Sequence, residues 1–94
     1  MAKPKEKAWL KNLDLRGRLL VWLGSSSQSR YESAAVAHLR QWWPEKEIRF
    51  ELSALQHEQL IESTALHYVR WALTAAGRSA ARDARERAQK AVAA

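Results

Sequence analysis

The fold class this sequence predicts is mainly α: a small helical bundle of three to four helices around a long central helix. Three observations predict it. From Leu60 onward, Ile61, Ala65, Tyr68, Ala72 and Ala75 recur at spacings of three and four, with Leu66, Val69 and Leu73 widening the stripe. Upstream, Tyr31, Ala35, His38, Leu39 and Trp42 repeat the pattern. Residues 78–94 are almost all helix formers, with opposite charges four apart at Arg82–Glu86, Asp83–Arg87 and Glu86–Lys90. At 94 residues and 47% apolar content, the chain has the size of one domain and enough apolar mass for a modest core.

The elements follow in order. Residues 1–7, MAKPKEK, are expected to form a flexible basic lead, and residues 8–94 a single helical domain. In 8–23, Trp9, Leu10, Leu13, Gly17, Leu20 and Val21 gather on one side of a helix, with Asp14 placed to cap a second segment. The run Arg18–Leu23 also fits a short buried strand, so helix and strand both stay open there. GSSSQS, residues 24–29, is a loop. Ser29 and Glu32 have capping-box spacing and open a helix that Pro44 ends.

Glu47–Leu52 alternates, with Ile48, Phe50 and Leu52 on one side and Glu47, Arg49 and Glu51 on the other. That pattern predicts an extended linker or one short strand near 47–52, at an edge or shared in a homodimer. Ser53, with Gln56 three residues on, caps the central helix (about 54–76), and Gly77 stops it. Such a helix would be about 35 Å long, the width of a small domain, which makes it the spine. Residues 78–94 form a charged Ala/Arg-rich terminal helix, free to protrude. It is either separate, with Ser79 as cap, or continuous with the spine from 54 to 93.

An alternating strand, a capped helix and a second helix after Gly77-Arg78-Ser79 resemble the ribbon–helix–helix DNA-binding family. The resemblance implies dimerisation through the strand and reading of the major groove by its polar face, here Glu47, Arg49 and Glu51. Two glutamates depart from a DNA-facing pattern, and the first helix is about two turns longer than the family's.

The chain offers little for catalysis. There is no cysteine, so thiolate and disulfide chemistry are out. His57-Glu58 opens like a zinc-protease motif, but position 61 is Ile. His38, His57 and His67 do not form a ligand set, and no Ser/His/Asp triad assembles. No metal, cofactor or enzymatic activity is expected. The Ser-rich loop before Arg30 offers an anion contact at most, because the Walker pattern is absent. The longest apolar run, Leu19–Leu23, is too short to span a bilayer, and no signal peptide is apparent, so a cytoplasmic location is expected.

Charge and aromatics carry what function remains. Net charge is +6, concentrated at the ends: residues 1–30 hold seven Lys/Arg against two acids, and 77–94 hold five against two. Basic ends predict nucleic-acid contact as an accessory factor, through Lys3, Lys5, Lys7, Lys11, Arg16, Arg18, Arg30, Arg78, Arg82 and Arg85. The alternative is a protein-interaction module, such as an inhibitor, adaptor or assembly subunit, docking through Trp42, Trp43 and Trp9. Adjacent tryptophans on one helix cannot both face a single core.

Overall fold

The computed structural model describes residues 8–64 and 68–93. Its main architecture is helical, with four α-helices and a small antiparallel sheet. A 3-10 helix, Ala8–Asn12, leads into α1 (Leu15–Gly24); β1 (Arg30–Tyr31) and α2 (Glu32–Leu39) follow. Then come α3 (Glu45–His57), the hairpin β2 (Ile61–Ser63) and β3 (Arg70–Leu73), and α4 (Ala75–Ala93).

The break at Asp14 is real. Its extended backbone caps α1, and its Oδ1 accepts a hydrogen bond from the Gly17 amide at 2.8 Å. That settles the ambiguous segment as helix, and Leu19, Leu20 and Leu23 become the floor of the core. Ser29 does not cap α2: the chain first makes β1, and Tyr31 precedes the helix without a side-chain cap. α2 turns Ala35, Val36 and Leu39 inward. The Trp42 and Trp43 amides both close back on the Leu39 carbonyl, and the chain turns through residues 40–44.

Pro44 then opens α3, where the sequence predicted a linker or strand. The Glu47 and Ile48 amides donate to the Pro44 carbonyl at 3.0 and 3.1 Å. Glu45 and Glu47 in the first turn complement the positive end of the helix dipole. Burial follows i, i+4, i+7 through Ile48, Leu52 and Leu55, while Phe50 points outward. The alternation at 47–52 was thus a helical stripe seen through too short a window, and the ribbon–helix–helix resemblance fails with it.

The central helix 54–76 is not formed. α3 ends at His57, and Gln59 adopts a left-handed backbone, φ 63°. Around it the Leu60 amide donates to the Leu55 carbonyl at 3.0 Å and the Gln59 amide to the Gln56 carbonyl at 2.9 Å, the bond pair of a Schellman cap. Beyond that cap the predicted spine gives way to β2 and β3, its residues 65–67 lie outside the described residues, and Ala75 and Ala76 open α4. Ile61 faces Leu73, Glu62 faces Ala72 and Ser63 faces Trp71, while Arg30 and Tyr31 of β1 pair on β3's other edge with Trp71 and Arg70. Ile61, Trp71 and Leu73 join the core this way. Only there do their apolar faces meet α1 and α3, so tertiary burial overrides the helical period.

Thr74 divides the sheet from α4, so 54–93 is not one helix. Its Oγ1 donates to the Gln59 carbonyl at 2.7 Å and accepts from the Gly77 amide at 3.0 Å. α4 packs on α1 and the 3-10 helix through the small-residue seam Ala81, Ala84 and Ala88, beside Leu13, Trp9 and Leu10. No helix among the described residues is long and apolar enough to cross a membrane.

Candidate nucleic-acid interface

α2 and α3 pack on each other across the short turn at 40–44, and the β2–β3 hairpin packs beside α3. Two ion-pair clusters fix α3 in this frame. Arg49 donates to Glu32 at 2.6 Å and to Glu45 at 3.2 Å. Glu32 also accepts a bond from the Trp71 indole at 3.4 Å, so one carboxylate ties α2, α3 and β3. Arg16 on α1 reaches Glu51 at 2.6 Å and grips the Glu58 carboxylate with both terminal nitrogens, Nη1 at 2.9 Å.

The carboxylates of Glu58 and then Glu51 raise the Arg16 pKa, and the Arg16 guanidinium holds the Glu58 carboxyl below the usual range. The folded protein therefore binds that proton more weakly than the unfolded chain does. The pair's contribution is complete above the ordinary glutamate range, about pH 4.3, and is lost as pH falls through the lower folded value. Glu58→Gln is expected to flatten the acid limb of stability, measured by urea unfolding from about pH 6 down to 3. Superimposable acid limbs for the two proteins would contradict the pairing.

With Glu45 and Glu51 held in these clusters, the solvent-facing side of α3 carries Lys46, Glu47, Phe50, Ser53, Gln56 and His57. Phe50 is 74% exposed. At the N-terminal end of β3, Tyr31 and Tyr68 meet edge to face with centroids 6.2 Å apart, and the Arg70 guanidinium lies 4.7 Å over the Tyr31 ring. Arg70 also donates to the Ser29 carbonyl at 3.1 Å.

A second cluster lies on the α1–α2 side. Trp22 stacks on His38 at 5.4 Å, His38 meets Trp42 at 6.1 Å, and Trp42 meets Trp43 at 6.3 Å. Arg18 sits 4.6 Å from the Trp42 ring centre and Arg30 4.3 Å from that of Trp22.

The sequence-predicted contacts are thus dispersed. Lys3, Lys5 and Lys7 lie outside the described residues. Lys11 is exposed on the 3-10 helix. Arg16 is engaged with Glu51 and Glu58, Arg18 is buried against Trp42, and Arg30 is stacked on Trp22 and bonded to Ser25 at 2.9 Å. Arg78 reaches the Leu73 carbonyl at 3.4 Å, Arg82 projects from α4, and Arg85 lies over Trp9 at 5.6 Å. Of the tryptophans, Trp9 and Trp43 are half-buried, and Trp42 remains 42% exposed. Among the described residues no group of acids and histidines is arranged to hold a metal.

The outer residues of α3 are not among the sequence-predicted contacts, because the alternation at 47–52 predicts an extended segment. Pro44, acidic residues in the following turn and Ile48/Leu52/Leu55 spacing were the signal that could have found them.

No family model and no curated protein matches this chain. Two solved structures of ZitR from Lactococcus lactis do, both of mutant forms. One, in apo form, is 20% identical with a TM-score of 0.71 over 90% of this chain and 65% of that one. The other is 18% identical with a TM-score of 0.71 over 99% of this chain and 62% of that one. The two proteins are alike in fold. This chain spans less than two thirds of either ZitR chain, at 65% and 62%.

Proposed function

We propose that this protein binds double-stranded DNA through its helix-turn-helix, as a small non-enzymatic accessory factor, with α3 entering the major groove. The observation that carries this is the division of α3 into two faces. Ile48, Leu52 and Leu55 lock its inner side to the body, while a mixed polar side stands open to solvent. In a helix-turn-helix the second helix is the one that enters the groove. The fold shared with ZitR is consistent with a scaffold of this kind.

Lys46 and, in the turn, Arg40 are placed to contact phosphates; Ser53 and Gln56 supply hydrogen-bonding groups for base edges. Lys11, on the 3-10 helix that packs against α4, stays outside the proposed groove contact. Arg78, Arg82 and Arg85 belong to α4, which packs mainly on α1 and the 3-10 helix, and they stay outside the proposed groove contact. The exposed Trp42, flanked by Arg18 and His38, supports a second reading: a protein partner docking on the α1–α2 side.

Fluorescence anisotropy with a mixed-sequence duplex, titrated from about 50 to 200 mM salt, tests DNA binding. Affinity is expected to fall steeply with salt, and Lys46→Ala to reduce the log–log slope by about 1. Arg16→Gln is expected to leave the slope unchanged, since the protein's own carboxylates already match that charge. Absence of binding at low salt, or binding indifferent to salt, refutes the proposal.

A further inference from the structure

We infer that Phe50 is a specificity residue that reads the 5-methyl group of a thymine, and this rests on α3 being the groove-entering helix. Phe50 is the largest apolar group on the outer side of α3 and is 74% exposed, near the middle of the helix. One turn back lie Lys46 and Glu47, and one turn on lies Ser53, all exposed and polar. The ring belongs to no core cluster, whose α3 members are Ile48, Leu52 and Leu55. It does not serve helix formation either, because Phe is a middling helix former.

Its surroundings separate two kinds of partner. Protein interfaces place their aromatic anchors in a desolvated apolar cluster. On the outer side of α3 the phenyl ring is a single apolar point among polar residues. A DNA major groove presents donors, acceptors and one apolar feature, the thymine methyl, and phenylalanine is among the side chains that contact it. Lys46, Ser53 and Gln56 are suited to the donors and acceptors around such a methyl. The α3 face is thereby matched to a site containing at least one thymine, flanked by pairs read through hydrogen bonds.

The experiment begins with selection of a preferred duplex from a random pool by the full chain. Each thymine of that duplex is then replaced singly by deoxyuridine, which removes the methyl and preserves pairing. Wild type is expected to lose roughly fourfold in affinity at one position, or at two symmetric positions, the amount that burial of a single methyl contributes. Phe50→Ala is expected to bind the thymine and deoxyuridine duplexes equally, with an unchanged circular dichroism spectrum. If wild type binds duplex DNA in a salt-dependent way but ignores every thymine-to-deoxyuridine change, the inference is overturned and the proposed function stands. If no duplex binds at low salt, both fall. If Phe50→Ala leaves the discrimination intact, the phenyl has another role and the inference is again overturned.

Discussion

Gly77→Ala is expected to lower stability by about 3 kcal/mol, at the upper end of what overpacking costs. For a domain of this size that corresponds to a fall in Tm of roughly 12–24 °C. The sign runs against helix propensity, by which alanine is favoured over glycine by about 1 kcal/mol inside a helix. The reversal comes from where the added carbon would sit: well inside van der Waals contact distance of the Leu60 carbonyl oxygen and 2.9 Å from its carbon. That carbonyl cannot easily retreat. It accepts the Thr74 amide at 3.0 Å, while Thr74 Oγ1 binds the Gln59 carbonyl and receives the Gly77 amide. The junction between the end of α3, the sheet and the start of α4 is one hydrogen-bonded knot, and Gly77 leaves room for it. Gly24→Ala is the control, since its added carbon would meet the Leu73 side chain at 3.1 Å, a neighbour able to shift. Thermal melts followed by circular dichroism compare the two. A Gly77→Ala protein melting at or above the wild-type temperature would refute the close approach.

Leu52→Ala is expected to cost about 2–5 kcal/mol, whereas Phe50→Ala should stay within about 0.5 kcal/mol of wild type. The residues are two apart, and an extended chain would put both on one face. On α3 they part: Leu52 is 0% exposed among Leu19, Leu39, Ile48 and Leu55, and Phe50 stands in solvent. Against a total stability of order 5–15 kcal/mol, the first change leaves a marginal fold and the second an intact one. Urea unfolding of both variants, with m-values compared to confirm two-state behaviour, gives the difference. Equal destabilisation by the two would restore the strand assignment and remove α3 from the structure.

Legibility varied by element for physical reasons. The cap at Asp14 was readable because a short polar side chain satisfies backbone donors locally, whereas the apolar run behind it fits helix and strand alike and is decided by packing. α3 was obscured because its stripe begins beside a proline, and Ile48, Phe50, Leu52 fit two periods at once. The stop after His57 was hidden because Gln59, not glycine, occupies the left-handed position. Of the candidate site, the cations were legible as charges but not as pairs. Nothing in the spacing of Arg16 announces Glu51 and Glu58, which lie 35 and 42 residues away.

The sequence alone determined that this chain is mainly helical, that Asp14 is placed to cap a helix, and that residues 78–94 carry an alanine seam edged with charge. Each of these rests on interactions within a few residues: caps, i,i+4 pairs and local propensity. Only tertiary structure decided that residues 54–76 divide between a helix end, a hairpin and a helix start, and that α3 presents Phe50 outward. Ile61, Trp71 and Leu73 are compatible with either period, and what selects the strand is the apolar surface of α1, α2 and α3 waiting on the other side.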